Sequence, residues 1–230
     1  MKTAKPRKSS EPRKRLLIVD DHPIMRQGLA LLINEEPDLI VCGEAETANQ
    51  AIEAVGALNP DLVLADITMP GKTGLDLIKD LQALHPGTAV LVMSMHDESL
   101  YAERVLRAGG RGYVMKQQGG QVLLEAIRKV LTGQIAVSDR MSSKILEIFS
   151  GRRDETGGSP VGKLTDREFE IFQLVGQGKG TKEIASQLNL SAKTVDVHRL
   201  NIKQKLQLQS APELIHYAVC WVQAERGSKP

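Results

Sequence analysis

The chain has little cysteine and no long apolar run. Its two cysteines, Cys42 and Cys220, stand far apart, without the short spacing that builds a zinc site or a redox pair, so both read as inert thiols in a reducing cytoplasm. No apolar stretch approaches the roughly 20 residues that a spanning helix needs. The basic residues at the amino terminus are followed by no hydrophobic segment of the kind that directs export. A soluble, cytoplasmic protein with no membrane partner is expected. With 230 residues, 41% of them hydrophobic, the chain can pack two domains but not three.

The formal net charge of +2 conceals a division. Residues 1–15 hold seven basic groups and one acid, whereas residues 16–131 hold 9 basic and 16 acidic groups. Residues 163–230 hold 10 basic and 7 acidic groups, a surplus that suits a phosphate-bearing partner without establishing one. The basic tail, 1–14, has almost nothing to bury and reads as disordered. Its charge is read as serving solubility rather than attraction to DNA, because short like-charge runs are usually solvated. Residues 132–162 read as a linker with a possible short helix over 141–149, followed by a stretch rich in glycine, charge and Ser-Pro. One domain is therefore expected over 15–131 and a second over 163–225, with 226–230 as a tail.

Within the first domain, the runs 16–19, 62–65 and 89–93 are short, apolar and bounded by polar or turn residues, and so read as buried strands. Another strand is expected over 111–115. Helical spacing lies between them: Met25, Leu29, Leu32 and Ile33; Ile52, Val55 and Leu58; Leu75, Ile78 and Leu81; and a last helix over 122–131. Strand followed by helix, repeated five times, predicts an α/β domain with a doubly wound, five-stranded parallel sheet of flavodoxin-like type. In such sheets, ligands sit outside the carboxyl ends of the strands. Asp20 and Asp21 end one apolar run, Asp66 ends another, and Ser94 and Lys116 follow two more, so all five groups are expected on one rim.

Crowded carboxylates at Asp20, Asp21 and Asp66 repel unless a cation neutralises them, and oxygen ligands of this kind suit Mg²⁺. Asp66 can then act as a nucleophile toward a phosphoryl group whose charge is met by Mg²⁺ and Lys116, with Ser94 bonding a phosphoryl oxygen afterwards. Taken singly, an aspartate after a strand is a cap or turn residue and a lysine there is solvated; the combination carries the chemistry. Gly71 and Gly74 read as backbone geometry alone. His22, beside the acidic pair but before Pro23, reads as a helix entrance rather than a ligand.

In the second domain, Thr165 followed by Glu168 is a capping box that starts a helix. Gly176, Gln177 and Gly178 stop it, residues 181–188 form a second short helix, and Ser191 caps a third. Two short helices joined by a tight turn make a helix-turn-helix inside an all-α unit. In the third helix, Val195, Ile202 and Leu206 can face a core, leaving Lys193, Thr194, His198, Arg199 and Lys203 outside. Such a helix either enters a DNA major groove or is simply a solvated basic helix.

The residues Val19-Asp20-Asp21-His22, Asp66-Ile67-Thr68-Met69-Pro70-Gly71, Ser94, Tyr113 and Lys116, in this order and spacing, give 15–131 a resemblance to the receiver domain of two-component response regulators. The resemblance implies that Asp66 accepts a phosphoryl group from a sensor histidine kinase. It also implies that Asp20, Asp21, Asp66 and the Thr68 main-chain carbonyl hold Mg²⁺, and that Lys116 contacts the acyl phosphate. A phosphoryl group adds nearly two negative charges and three acceptor oxygens, enough to draw Ser94 inward and leave a space for Tyr113 as a switch. Tyr113 reads equally as a core aromatic with a surface hydroxyl.

Leu164-Thr165 with Arg167-Glu168, Lys182-Glu183-Ile184-Ala185, Leu190-Ser191, Lys193-Thr194-Val195, His198, Ile202 and Lys205-Leu206 resemble the LuxR-type DNA-binding domain. Together the two halves are similar to the NarL/FixJ class of transcriptional regulators. That similarity implies a four-helix output domain that binds double-stranded DNA as a homodimer, with the last helix, near 211–221, as the dimer face and RNA polymerase as a further partner. The implied DNA contacts are Lys182, Lys193, Thr194, Val197, His198, Arg199 and Lys203. Asp196 and Leu200 depart from relatives that carry basic residues there. Asp196 is repelled by phosphate yet can accept from cytosine, and Leu200 either meets a thymine methyl or packs inward. Two rival readings remain: a Mg²⁺-dependent phosphatase, which commonly needs a second aspartate where Thr68 stands, and a binding protein that dimerises without phosphorylation.

Overall fold

A computed structural model of the chain describes residues 12–143 and 160–227, the last three by backbone alone. Of the predicted tail over 1–14, residues 1–11 lie outside the described residues and Lys14 already belongs to the first strand; of the predicted linker over 132–162, residues 144–159, with the short helix beyond 143, also lie outside them, as do residues 228–230. The chain divides into two units, Met1–Leu146 and Glu147–Pro230.

The first unit alternates strands and helices: β1 (Lys14–Val19), α1 (Pro23–Asn34), β2 (Leu39–Ala45), α2 (Ala48–Leu58), β3 (Leu62–Asp66), α3 (Gly74–Leu84), β4 (Ala89–Ser94), α4 (Glu98–Arg107), β5 (Gly112–Met115) and α5 (Gly120–Leu131). All five strands run parallel in the order β2-β1-β3-β4-β5. The chain leaves β1 toward one edge and then crosses to β3 on the other side, so the strand order reverses between β1 and β3. Helices diverge there and open a crevice at the carboxyl ends of the two strands.

Sequence patterning explains which strands are central. Leu16 to Val19 and Leu62 to Ala65 are apolar without interruption and essentially inaccessible, as strands covered on both faces must be. On one face Leu16, Ile18, Leu62 and Leu64 join Leu29 and Ile33 of α1 and Leu123, Leu124, Ile127 and Val130 of α5 in one core. β2 is different. It is an edge strand whose middle residues are only partly buried, and Gly43-Glu44 breaks its apolar run. The fivefold repeat requires this strand, and Leu39-Ile40-Val41-Cys42 is an apolar stretch as long as Leu16 to Val19 that marks where it starts.

Local chemistry sets the helix starts. Thr73 and Asp76 form a capping box at α3, Thr47 accepts from the Gln50 N–H at α2, and Asp97 accepts from the Ser99 N–H at α4. Gly71 has φ +78, and Gly74 lies where an added Cβ would stand 2.4 Å from the Asp66 carbonyl oxygen. Gly74 thus lets α3 begin directly against the end of β3.

Past α5, the predicted linker begins packed rather than free. The Tyr113 N–H donates to the Ala136 carbonyl at 2.8 Å and the Ala136 N–H to the Arg111 carbonyl at 2.9 Å, so this segment pairs with the open edge of β5. Residues 139–143 are helical and Met141 is buried. An edge strand presents unpaired amides and carbonyls, and the β-prone Ile135-Ala136-Val137 satisfies them.

The second unit holds α6 (Asp166–Gly176), α7 (Thr181–Gln187), α8 (Ala192–Lys205) and α9 (Ala211–Gly227). Phe169, Phe172, Ile184, Val195, Ile202, Leu214 and Ala218 form its interior. The Trp221 ring meets Phe169 and Phe172 edge-on at 5.6 and 5.5 Å. Among the described residues, no helix is long and apolar enough to cross a membrane.

The capping box that opens α6 also closes this core. Glu168 accepts the Thr165 N–H at 2.8 Å and the Lys205 ammonium at 2.6 Å, tying α6 to the end of α8. Burial opposes the Glu168 charge, but Lys205 and the Thr165 groups outweigh it and hold the carboxyl below its ordinary range. A depressed carboxyl contributes stability that is complete above the ordinary glutamate value and drains away as the pH falls through the folded value. Glu168→Gln is therefore expected to lower the stability of the second unit by roughly 1–3 kcal/mol near neutral pH. In denaturant melts the deficit should shrink below about pH 4.

Candidate functional site

At the crevice between β1 and β3, four of the five strand ends deliver five groups: Asp20 and Asp21 after β1, Asp66 closing β3, Ser94 closing β4 and Lys116 after β5. The Lys116 ammonium donates to Asp20 Oδ2 at 2.7 Å and to Asp66 Oδ2 at 2.8 Å. All three side chains are buried. The remaining oxygens are also engaged, Asp20 Oδ1 by the His22 N–H at 2.8 Å and Asp66 Oδ1 by the Thr68 N–H at 3.3 Å. Burial pushes the Asp66 carboxyl up; Lys116 pulls it back only in part, and Asp20 adds to the rise. Burial also works against the Lys116 charge, but Asp66 and Asp20 outweigh it and hold the ammonium above its ordinary value.

The donor set fits a hard divalent cation. Ligand atoms of Asp20, Asp21, His22 and Asp66 all lie within 4.8 Å of one another. Asp21 Oδ1 is buried without a hydrogen-bond partner. The His22 ring nitrogen stands 2.7 Å from it, but off the direction a hydrogen bond requires. A carboxylate only accepts, so an unmet oxygen beside two further carboxylates calls for positive charge. His22 does precede the first helical residue, Pro23, as its sequence position suggests. Its exposed ring nevertheless lies against both acids at the rim.

The switch candidates form one bonded cluster. Ser94 Oγ accepts the His96 N–H at 3.2 Å, and the Tyr113 hydroxyl donates to the His96 carbonyl at 2.9 Å. Tyr113 is buried with its hydroxyl inside, not at the surface, and burial pushes the phenol far above its ordinary value. The His96 ring lies 3.1 Å from Thr68 Oγ1 and tilts against Tyr101. Burial, followed by Lys116, lowers its pKa, which keeps the ring neutral near pH 7. Two residues on, Glu98 accepts both the Ser138 N–H, at 2.8 Å, and the Ser138 hydroxyl.

The sequence reading missed three residues of this region. His96 and Glu98 left no local signal, because their partners Thr68 and Ser138 stand 28 and 40 positions away. Arg26 did leave one. It falls in phase with Leu29 and Ile33 on the buried stripe of α1, where a cation needs a specific partner.

In the second unit, the structure redistributes the expected DNA contacts. Lys182 and Lys193 are exposed, and Val197 is half exposed. Thr194 takes part in the Ser191 cap of α8. His198 and Arg199, expected outside, are partly buried beside Val195 and Ile202, whose positions three to four residues away border theirs. His198 Nδ1 is buried without a hydrogen-bond partner, and burial lowers its pKa. The Arg199 guanidinium donates to Thr181 Oγ1 at 2.8 Å, pinning α8 to α7. Lys203 is partly buried, and Leu200, 48% exposed, does not pack inward. The outward stripe of α8 is thus Lys193, Asp196, Val197 and Leu200.

Comparison with known proteins gives the same division. Residues 16–128 match the response regulator receiver domain, and residues 162–218 match the bacterial regulatory proteins of the luxR family. The oxygen regulatory protein NreC of Staphylococcus carnosus is 34% identical over 209 residues, covering 89% of this chain and 96% of that protein. Among solved structures, RcsB from Salmonella enterica serovar Typhimurium, bound to a promoter in the presence of the phosphomimetic BeF3−, is 26% identical with TM-score 0.62, covering 90% of this chain and 98% of that one. A structure of two RcsB dimers bound to two parallel DNAs is 26% identical with TM-score 0.55 over the same shares.

The Lys116 bridge carries a direct test. Lys116→Met leaves two buried carboxylates facing each other and raises the Asp66 carboxyl further. A raised carboxyl stabilises only at low pH and loses that contribution as the pH rises through the folded value. In metal-free buffer the variant is expected to lose about 3–5 kcal/mol near neutral pH. In denaturant melts, the loss should be distinctly smaller at about pH 5 than at about pH 7.

Proposed function

Because the chain belongs to the response regulators that join a receiver domain to a LuxR-type DNA-binding domain, we propose that it is a transcription factor controlled by phosphorylation of Asp66. The receiver occupies 15–131 and the output domain 163–225 in this reading. The observation that carries it is the Lys116 ammonium held between Asp20 and Asp66 at the crevice between β1 and β3.

A carboxylate oxygen of Asp66 attacks the phosphorus of a phosphohistidine on a sensor kinase; the bond from phosphorus to the donor nitrogen breaks, and an acyl phosphate forms. Asp20, Asp21, Asp66 and the Thr68 main-chain carbonyl would hold Mg²⁺, which would supply positive charge to the phosphoryl oxygens. Lys116 already lies within hydrogen-bond distance of Asp66 and follows the charge outward onto the phosphoryl group. Ser94, at the neighbouring strand end, donates its hydroxyl to a phosphoryl oxygen, which draws toward the phosphoryl group the oxygen that now accepts the His96 N–H.

The His96 loop also holds the Tyr113 hydroxyl, and the Tyr113 main chain holds Ala136. Glu98, two residues on, holds Ser138. A displacement at Ser94 therefore reaches the segment leading toward the output domain through two separate bonded routes. Moving such an equilibrium from 1:99 to 99:1 takes about 5.5 kcal/mol, within reach of several charge-assisted bonds made together.

The output domain reads double-stranded DNA as a homodimer, with α9 as the dimer face and α8 in the major groove. Lys182, Lys193 and Val197 are its outward contacts, and RNA polymerase is the partner downstream. That RcsB dimers are solved on DNA supports this assignment. The protein acts in the cytoplasm. A phosphatase reading gains nothing: Thr68 stands where such an enzyme needs its second carboxylate, and its hydroxyl is engaged by His96.

The test uses the full chain with an acyl phosphate donor and Mg²⁺. Phosphate uptake is expected in the wild type and absent in Asp66→Asn. Wild-type DNA affinity, measured at one fixed salt concentration, is expected to rise about tenfold on phosphorylation, with no response in the variant. Uptake on Asp66 with unchanged dimerisation and DNA affinity would overturn the proposal.

A further inference from the structure

The geometry points to Arg26 as the residue that positions both aspartates of the β1 end, by holding the peptide group that joins them. This inference rests on the reading of Asp20 and Asp21 as Mg²⁺ ligands and adds a residue to it. Arg26 is the only buried arginine among the described residues. Its guanidinium makes three contacts: Nη1 donates to the Asp20 main-chain carbonyl at 2.6 Å, Nη2 to Glu46 Oε1 at 2.6 Å and Nε to Glu44 Oε2 at 3.3 Å.

The two acids are largely exposed. They meet the charge of the buried guanidinium from the rim but do not fix the peptide inside. The contact that does is the one to the Asp20 carbonyl, which lies in the interior. That carbonyl belongs to the Asp20–Asp21 peptide, so the plane Arg26 holds sets the direction from which both carboxylates leave the backbone. Asp20 is fixed on its other sides as well, its N–H donating to the Ala45 carbonyl at 3.2 Å and its carboxylate taken by His22 and Lys116. Without Arg26 the carbonyl is left buried and unpaired, and the peptide rotates to find a partner.

Charge and positioning make opposite demands on the outcome. Removing a positive group beside an acidic pocket would by Coulomb attraction alone tighten cation binding. Removing a positioning group weakens it.

The experiment measures Mg²⁺ affinity calorimetrically on the full-length wild type, Arg26→Met and Arg26→Lys, with circular dichroism melts to establish folding. Mg²⁺ half-saturation and the plateau of phosphate uptake from an acyl phosphate are recorded on the same samples. Arg26→Met is expected to bind Mg²⁺ about tenfold or more weakly, the usual effect of losing a group that orients metal ligands. Its uptake should approach the wild-type plateau at high Mg²⁺. Arg26→Lys, which keeps the charge and one donor, should fall between. Affinity of Arg26→Met equal to or tighter than wild type overturns the assignment. If Arg26→Met does not fold, wild-type affinity in Arg26→Lys overturns it. A wild type that binds no Mg²⁺ overturns the underlying ligand reading and this inference with it.

Discussion

One buried ammonium between two buried carboxylates organises the first unit. Lys116 reaches Asp20 at the end of β1 and Asp66 at the end of β3, and so closes the crevice that the strand order opens. Neither carboxylate could stay ionised there unaccompanied, and Lys116 could not stay charged without both. The arrangement is balanced but not saturated. Asp21 keeps an unmet oxygen, and burial still holds Asp66 above its ordinary range. In the reading proposed, that residual negative charge is what a divalent cation answers, and the hydrogen-bond donor for an incoming phosphoryl group, Lys116, is already at hand.

The surroundings of this bridge explain how a change at one carboxylate can be felt elsewhere. Ser94, His96 and Tyr113 are linked by hydrogen bonds to each other, and the same short stretch of chain leads into the α4 residue that holds Ser138. The edge of β5 is completed by Ala136 instead of being left to solvent. Residues that the sequence suggests are linker are therefore part of the packed unit, and any movement of the His96 loop has a covalent and hydrogen-bonded route to them.

What could be read from the sequence follows from how local each signal is. Asp20, Asp21, Asp66, Ser94 and Lys116 each stand directly after or at the end of an apolar run, so strand polarity alone brings them together. Thr165 and Glu168 were legible because a capping box spans three residues. β2 begins on an apolar run, Leu39 to Cys42, that Gly43 and Glu44 cut short, which an edge strand tolerates. Arg26 looks like an ordinary solvated helix charge by type, but its phase with Leu29 and Ile33 puts it on the buried stripe. His198 and Arg199 stand at the border of the α8 stripe that buries Val195 and Ile202 and are partly covered by it. The His96 to Thr68 contact has no sequence signature, because it joins two loops that only the sheet brings near.

The most direct measurement is amide hydrogen exchange at Ala136 and Ser138 in the full chain, with and without a phosphoryl group on Asp66. These amides donate to the Arg111 carbonyl and to Glu98, and so report on both routes out of the site. Protection at both is expected to change on phosphorylation and to stay constant in Asp66→Asn. Identical exchange in the two states, accompanied by a rise in DNA affinity, would contradict the account.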